Sequence, residues 1–468
     1  MATPPSTPRT GPEVSARIGL PPAATPRDVH RIVWSVAWPS VLTFSLMTSN
    51  SILDRIFVGW LGRDALAAVG VGGQVLFLLV SVSMAITTGT TALVARFVGA
   101  EELRDARRAT GQSLALGVVT GVLGMAAGYA GTAALLGALG IAPEAERACR
   151  AFLHTALLGA VPMFVLNVLS AAFRGLGDTR TPLKVMLAAN AVHLLGDWTL
   201  MLGHWGFPPL GVAGGGIAMS VSHAVALALM WRYLRRSPLR GADAVAMATL
   251  RLDWARRILR IGVPAAMTAL LRTTSLMGFT KILVLTREGT NAVAALPIGL
   301  TAESIAFMPG FGFSVAASAL VGQGLGAKDA RGAERYGWSA TWMAVLTMSA
   351  MGAVFYLAAE PFARLFTTDP RVLPVAVSYL RIMAVSEPFL ACGMVLTGAL
   401  QGAGDTLRPT VLTAITFWGL RIPLAYALAI GLGMHASGAW AAMAASTVVG
   451  GLVTVQLFRD GRWKRVRV

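Results

Sequence analysis

The chain has 468 residues, 55% of them hydrophobic and 13% charged, with 51 glycines and a mean hydropathy of +0.65. That composition excludes a soluble globular domain and reads as a polytopic membrane protein. The formal charge of +17 would by itself admit a nucleic-acid partner, whereas the two cysteines, Cys149 and Cys392, far apart in the sequence and without metal-ligand spacing, form neither a disulfide framework nor a zinc pattern and read as unpaired packing residues.

In chain order, residues 1–30 are rich in Pro, Thr, Ser and Ala without the basic-then-apolar pattern of a cleavable signal peptide, and are expected to form a disordered cytoplasmic tail. The first apolar span then serves as an uncleaved anchor. Windows long enough to cross a bilayer of ~30 Å follow at 33–60, 66–95, 110–138, 150–173, 183–203, 211–233, 261–286, 293–323, 337–359, 374–400, 410–432 and 437–458. With the N-terminus inside, the segments on the inner side hold 28 Lys and Arg, those on the outer side 6, and the spans themselves 5. This bias predicts twelve spans with both termini cytoplasmic in a cell (inner or plasma) membrane. It assigns the positive charge to orientation and to anionic lipid rather than to nucleic acid.

An internal repeat organises these spans. Phe173-Arg-Gly-Leu-Gly-Asp-Thr-Arg-Thr-Pro182 recurs 227 residues later as Leu400-Gln-Gly-Ala-Gly-Asp-Thr-Leu-Arg-Pro409, and the same offset aligns Ala92-Leu-Val94 with Ala319-Leu-Val321 and Gly62 with Gly289. Six spans per repeat is an even number, so the halves enter the membrane from the same side as parallel repeats, with a substrate path at their interface. The fold expected is all-α, an N-terminal lobe 31–235 and a C-terminal lobe 261–458 joined by a cytoplasmic connector 236–260 and followed by a basic cytoplasmic tail 459–468. Residues 250–260 have the pattern of an amphipathic surface helix. The repeated loop lacks the strand and the Lys-Ser/Thr of a phosphate cradle, and reads as a turn that caps the next helix.

Four acids fall at membrane depth, where a charge costs on the order of 2.5–3.5 kcal/mol and marks function by default: Asp54, Asp197, Glu303 and Glu387. Asp54 lies eight residues before Gly62 and Asp197 six before Gly203, about 12 and about 9 Å below the outer loops at 1.5 Å per residue. Residues four apart share a helix face, so Asn50 accompanies Asp54 and His193 accompanies Asp197, with Asn190 a turn away. Two desolvated carboxylates at one depth would make proton uptake near neutral pH feasible. Glu303 and Glu387 share their half with Arg272, Lys281, Arg381 and Arg421, and structural ion pairs are expected among these six, with substrate contact as the alternative. No catalytic constellation and no zinc spacing is visible, so neither an enzyme nor a metal or cofactor site is expected.

The motifs together resemble the multidrug and toxic compound extrusion (MATE) family, and its DinF-like branch most. They are Pro39 with Asn50-x-x-x-Asp54 and Phe57-x-Gly59, Arg174-Gly-x-Gly-Asp-Thr-Arg-Thr-Pro182, Asp197, Gly211-Val-Ala-Gly214, Met308-Pro309-Gly-Phe-Gly-Phe313 and Val321-Gly-Gln-x-Leu-Gly-Ala327. The resemblance implies two six-helix bundles set in a V and a proton- or sodium-driven antiporter exporting cationic, lipophilic small molecules. It implies Asp54 and Asp197 as coupling residues, Asn167 as a further polar site member and Pro39 as the bend of the first span. This chain has His193 where DinF-like members usually carry Asn, and a histidine can itself titrate. Protons are therefore the expected coupling ion, with sodium as the alternative, and a monomer is expected in the bilayer. A flippase for a lipid-linked or anionic headgroup is the second reading, kept open by the basic residues of the C-terminal lobe. A non-transporting scaffold is the third.

Overall fold

The computed structural model describes residues 25–140, 142–242, 244 and 250–466. Most of the expected tail at 1–30, part of the connector (243 and 245–249) and residues 467–468 lie outside the described residues. Among the described residues the regular elements are all helical.

The first half comprises α1 (Pro26–Trp60), α2 (Arg63–Gly99), α3 (Leu103–Leu139), α4 (Pro143–Leu157), α5 (Ala160–Gly175), α6 (Arg180–Gly196) and α7 (Val212–Leu234). The second comprises α8 (Leu252–Val284), α9 (Thr290–Gly326), α10 (Ala330–Leu357), the short α11 (Ala359–Arg364), α12 (Leu373–Gly402), α13 (Leu407–Gly431) and α14 (His435–Arg459). Nine of these are each long and apolar enough to cross a membrane, and α4 with α5, bent by 50°, make a tenth. The other two expected spans are α6, continued by a π-helical turn at Asp197–Met201, and α8, whose charges run from Asp253 to Lys281. All twelve segments are thus present as helices.

Local chemistry sets the helix ends. Thr25 and Asp28 form a reciprocal capping box ahead of α1, and Gly62 and Gly289, with φ of +102° and +44°, turn the chain into α2 and α9. The repeated loop has one backbone in both halves: Gly177 and Gly404 have φ of +83° and +86°, and the amides of Asp178 and Asp405 donate to Phe173 O (3.0 Å) and Leu400 O (2.9 Å). Asp178 then accepts from Thr181 N at 3.0 Å, the cap expected there. Glu101 and Lys328, 227 positions apart, share a φ near +60°.

Each half lends the start of its first helix to the other. Val29, Val33 and Val36 of α1 pack in one apolar cluster with Phe313, Tyr336 and Leu396 of the second half, and Trp254 and Ile258 of α8 pack in a cluster of the first. The run 250–260 is therefore no separate surface helix: α8 starts at Leu252, and its apolar face meets α2 and its neighbours instead of a lipid surface. A backbone approach this close needs glycine. Side chains at Gly262 and Gly312 would run into the backbones of Ala85 and Val41, and at Gly99 and Gly326 into those of Gln323 and Arg96. All these contacts fall on the side where α1 begins and α2 and α9 end, and toward the opposite face they reach Thr48, whose hydroxyl lies 3.3 Å from Met308 Sδ.

Candidate cation-exchange site

α1 and α6 bring the two membrane-depth acids of the first half together. Asn50 Nδ2 lies 3.3 and 3.5 Å from the Asp54 carboxylate oxygens and 3.0 Å from His193 Nδ1. His193 Nε2 lies 3.5 Å from Asp197 Oδ2. Asp54, His193 and Asp197 each offer a ligand atom, all within 4.8 Å of one another, so the group is compact enough to hold a proton or a small cation. Its inner end is sealed, with Asp197 1% exposed and His193 9%, whereas Asp54 is half-buried. Asp197 Oδ1 is buried without a hydrogen-bond partner, as is Asn50 Oδ1. Buried polar atoms are seldom left so, and each unpaired acceptor is destabilising by about 1–3 kcal/mol. The site is therefore short of positive charge or donors by construction.

The π-helical turn begins at Asp197 itself. A π turn inserts one extra residue and re-aims the side chains about it. Gly215 of α7 faces this turn, its missing side chain leaving room 3.6 Å from Asp197 Oδ1. Two of the residues expected nearby bond elsewhere: Asn190 Nδ2 donates to Leu46 O at 3.4 Å, tying α6 to α1, and Asn167 Nδ2 donates to Ser83 Oγ at 3.2 Å. Pro39 is buried inside α1, about four turns before Asp54, its carbonyl accepting from Thr43 Oγ1 at 2.8 Å.

In the second half the ion pairs expected among Glu303, Glu387, Arg272, Lys281, Arg381 and Arg421 do not form among the described residues. Lys281 and Arg381 are exposed on the outside of their helices, where long basic side chains reach toward polar surroundings. Glu303 instead accepts from Tyr379 Oη at 2.9 Å, and Glu387 is buried with Oε2 unpartnered. Arg421 donates to Ser446 Oγ (2.8 Å) and Thr447 Oγ1 (3.1 Å), and its Cζ sits 4.0 Å from the centroid of the Phe417 ring. Tyr379, Ser446 and Thr447 have no signal in the sequence. Phe417 does, since it stands four residues before Arg421 on one helix face.

The duplicated halves match a known family. The MatE family model covers residues 39–199 and 264–427, one segment in each half. The chain belongs to the MatE family. A probable multidrug resistance protein NorM of Thermotoga maritima is 29% identical over 451 residues, 95% of either chain. A structure described as the outward-facing conformation of a multidrug resistance MATE family transporter of the MOP superfamily gives a TM-score of 0.86 at 21% identity, over 94% of this chain and 97% of that one. A MOP superfamily transporter from Pyrococcus furiosus, for which a reversed polarity of the binding pocket suggested a different function, gives 0.85 at 22% identity over 92% and 95%. At such identities the structural likeness is one of fold. MatE membership makes the chain a transporter and not an enzyme, and its apolar helices make it an integral membrane protein.

Proposed function

We propose that this MatE protein is a multidrug exporter that exchanges cationic, lipophilic compounds for protons, with Asp54, His193 and Asp197 as the exchange site. The observation that carries this reading is the unpartnered Oδ1 of buried Asp197 beside Asp54. A proton or a cationic group satisfies that atom, and the two occupants exclude one another. The curated relative named as a multidrug resistance protein spans 95% of the chain and supports the efflux of drugs. The basic bias of the loops supports cytoplasmic termini, in which case the packed face is the inner one and the site opens outward. In this state protons from outside reach the carboxylates, neutralise them and release the cation. Closing the outer side and parting the inner contacts then returns the protons to the cytoplasm.

The test uses purified protein in liposomes under an imposed pH gradient, with and without a sodium gradient. Addition of a lipophilic cation should produce proton flux in the wild type, and Asp54→Asn should remove it. Unchanged flux in Asp54→Asn overturns the assignment of the site, and flux that follows sodium alone replaces the proton as coupling ion.

A further inference from the structure

Within the second half, α8, α9, α12, α13 and α14 line a half-open cavity of about 200 Å³. Arg272 and Arg421 both line it, against a single aromatic ring: Arg421 Cζ is 4.0 Å and Arg272 Cζ 5.4 Å from the Phe417 centroid. Their donors are only partly used. Arg272 Nε is buried without a partner, and Arg421 donates through Nε and Nη2 to Ser446 and Thr447, while its Nη1 has no partner among the described residues. The acid on the wall, Glu303, accepts from Tyr379, and no acid of the described residues lies within 4.0 Å of either guanidinium. The cavity wall thus carries two cations and one acid.

Guanidinium groups at membrane depth are costly unless paired, and an aromatic face and two hydroxyls replace only part of their hydration. An oxyanion supplies what is lacking, because its paired oxygens match the planar fork of arginine. The remaining wall is mostly apolar, with Phe307, Phe389 and Met394, interrupted by Thr397, Thr413, Thr416 and Thr454. The volume is below the ~300–1,000 Å³ of a site that encloses a whole drug-sized ligand, so the cavity fits one end of a molecule.

We propose that this cavity is an oxyanion subsite, in which Arg272 and Arg421 bind the carboxylate or phosphate group of an amphiphilic compound whose apolar part lies against Phe307 and Met394. The subsite rests on the transport function above and extends its substrate class from cations to zwitterions and organic anions.

The test is equilibrium binding, which requires no transport and is therefore independent of the proton exchange. Fluorescence polarisation in neutral phosphatidylcholine nanodiscs compares rhodamine B, which has a free carboxylate, with its ethyl ester, which has none. Arg272→Gln removes a side chain that makes no hydrogen bond among the described residues, and should weaken rhodamine B at least tenfold while changing the ester less than twofold. Arg421→Gln should do the same, with unchanged thermal unfolding as the control for folding, and Arg421→Lys should restore little because an ammonium lacks the planar fork. Competition identifies the natural source. Displacement of rhodamine B by phosphatidylglycerol doped into the nanodisc marks a lipid phosphate, and displacement by soluble benzoate marks a free carboxylate. Equal losses for both dyes, no loss in Arg272→Gln, or competition by neither anion overturns the subsite and leaves the antiport reading untouched.

Discussion

His193 is hydrogen-bonded through Nδ1 to Asn50, and its Nε2 faces the Asp197 carboxylate at 3.5 Å. The ring thus lies between the α1 acid and the α6 acid, joined to the first by way of Asn50 and in charge contact with the second. His193→Ala removes that link, and losing one hydrogen bond at the upper end of its usual worth, ~1.5 kcal/mol, corresponds to about tenfold. Drug-driven proton flux in liposomes should therefore fall by about tenfold. His193→Asn, which retains a donor and an acceptor, should lose less, and an equal loss in both variants would show that the imidazole itself, not its hydrogen bonds, is required. These neighbours were legible because residues four apart on one helix must share a face, and that spacing alone pairs Asn50 with Asp54 and His193 with Asp197. Spacing along one helix says nothing of partners on another. For that reason Tyr379 as the partner of Glu303, Ser83 as that of Asn167, and the hydroxyls of α14 beside Arg421 had to be seen, and charge complementarity alone suggested ion pairs that do not form.

At the scale of elements, the loop before α6 does more than turn the chain. Thr179, 2% exposed, donates from that loop to Val36 O of α1 at 2.8 Å, three residues before Pro39. The helix that carries Asp54 and the one that carries Asp197 are thereby fastened together near the packed face, as well as at Asn190 and Leu46. Thr179→Val keeps the volume and removes the hydroxyl. It should destabilise the protein by about 1 kcal/mol, read as unfolding at lower SDS in a denaturation titration, whereas Thr179→Ser should stay within a few tenths of wild type. The turn and its glycines were legible from residue types. The π-helical turns at Asp197–Met201, Ile415–Arg421 and Ala427–Gly431 were not, since nothing in propensity separates them from the α-helix around them. The first two include a charged residue of a cavity or site, in keeping with the habit of such turns, and the third holds none.

At the scale of the molecule, the count of spans and their division into two like halves could be read from hydropathy and from one repeated loop. The exchange of helix ends between the halves could not. Amphipathicity tells which face of a segment is apolar and not what will cover it, so residues 250–260 looked suited to a membrane surface although Trp254 and Ile258 are buried against the first half. The 227-residue offset nevertheless holds across the interface. Gly99 meets the backbone of Gln323, Gly326 meets the backbone of Arg96, and each position is the repeat counterpart of the other.

That reciprocity gives the junction of α2 and α9 the character of an isologous contact, one surface patch meeting its own copy about a two-fold axis, as in a symmetric homodimer. Such a contact has no donor side and acceptor side, so damage to it is shared. Gly99→Leu and Gly326→Leu should each loosen the packed face by a similar amount, about 1–3 kcal/mol for overpacking, seen as faster thiol labelling of Gln323→Cys with Gly99→Leu and of Arg96→Cys with Gly326→Leu. The double substitution should fall well short of the sum, because once either half has been pushed away the other has nothing left to displace. Additive effects would mean that the two glycines belong to separate contacts and that the axis is a feature of the sequence alone.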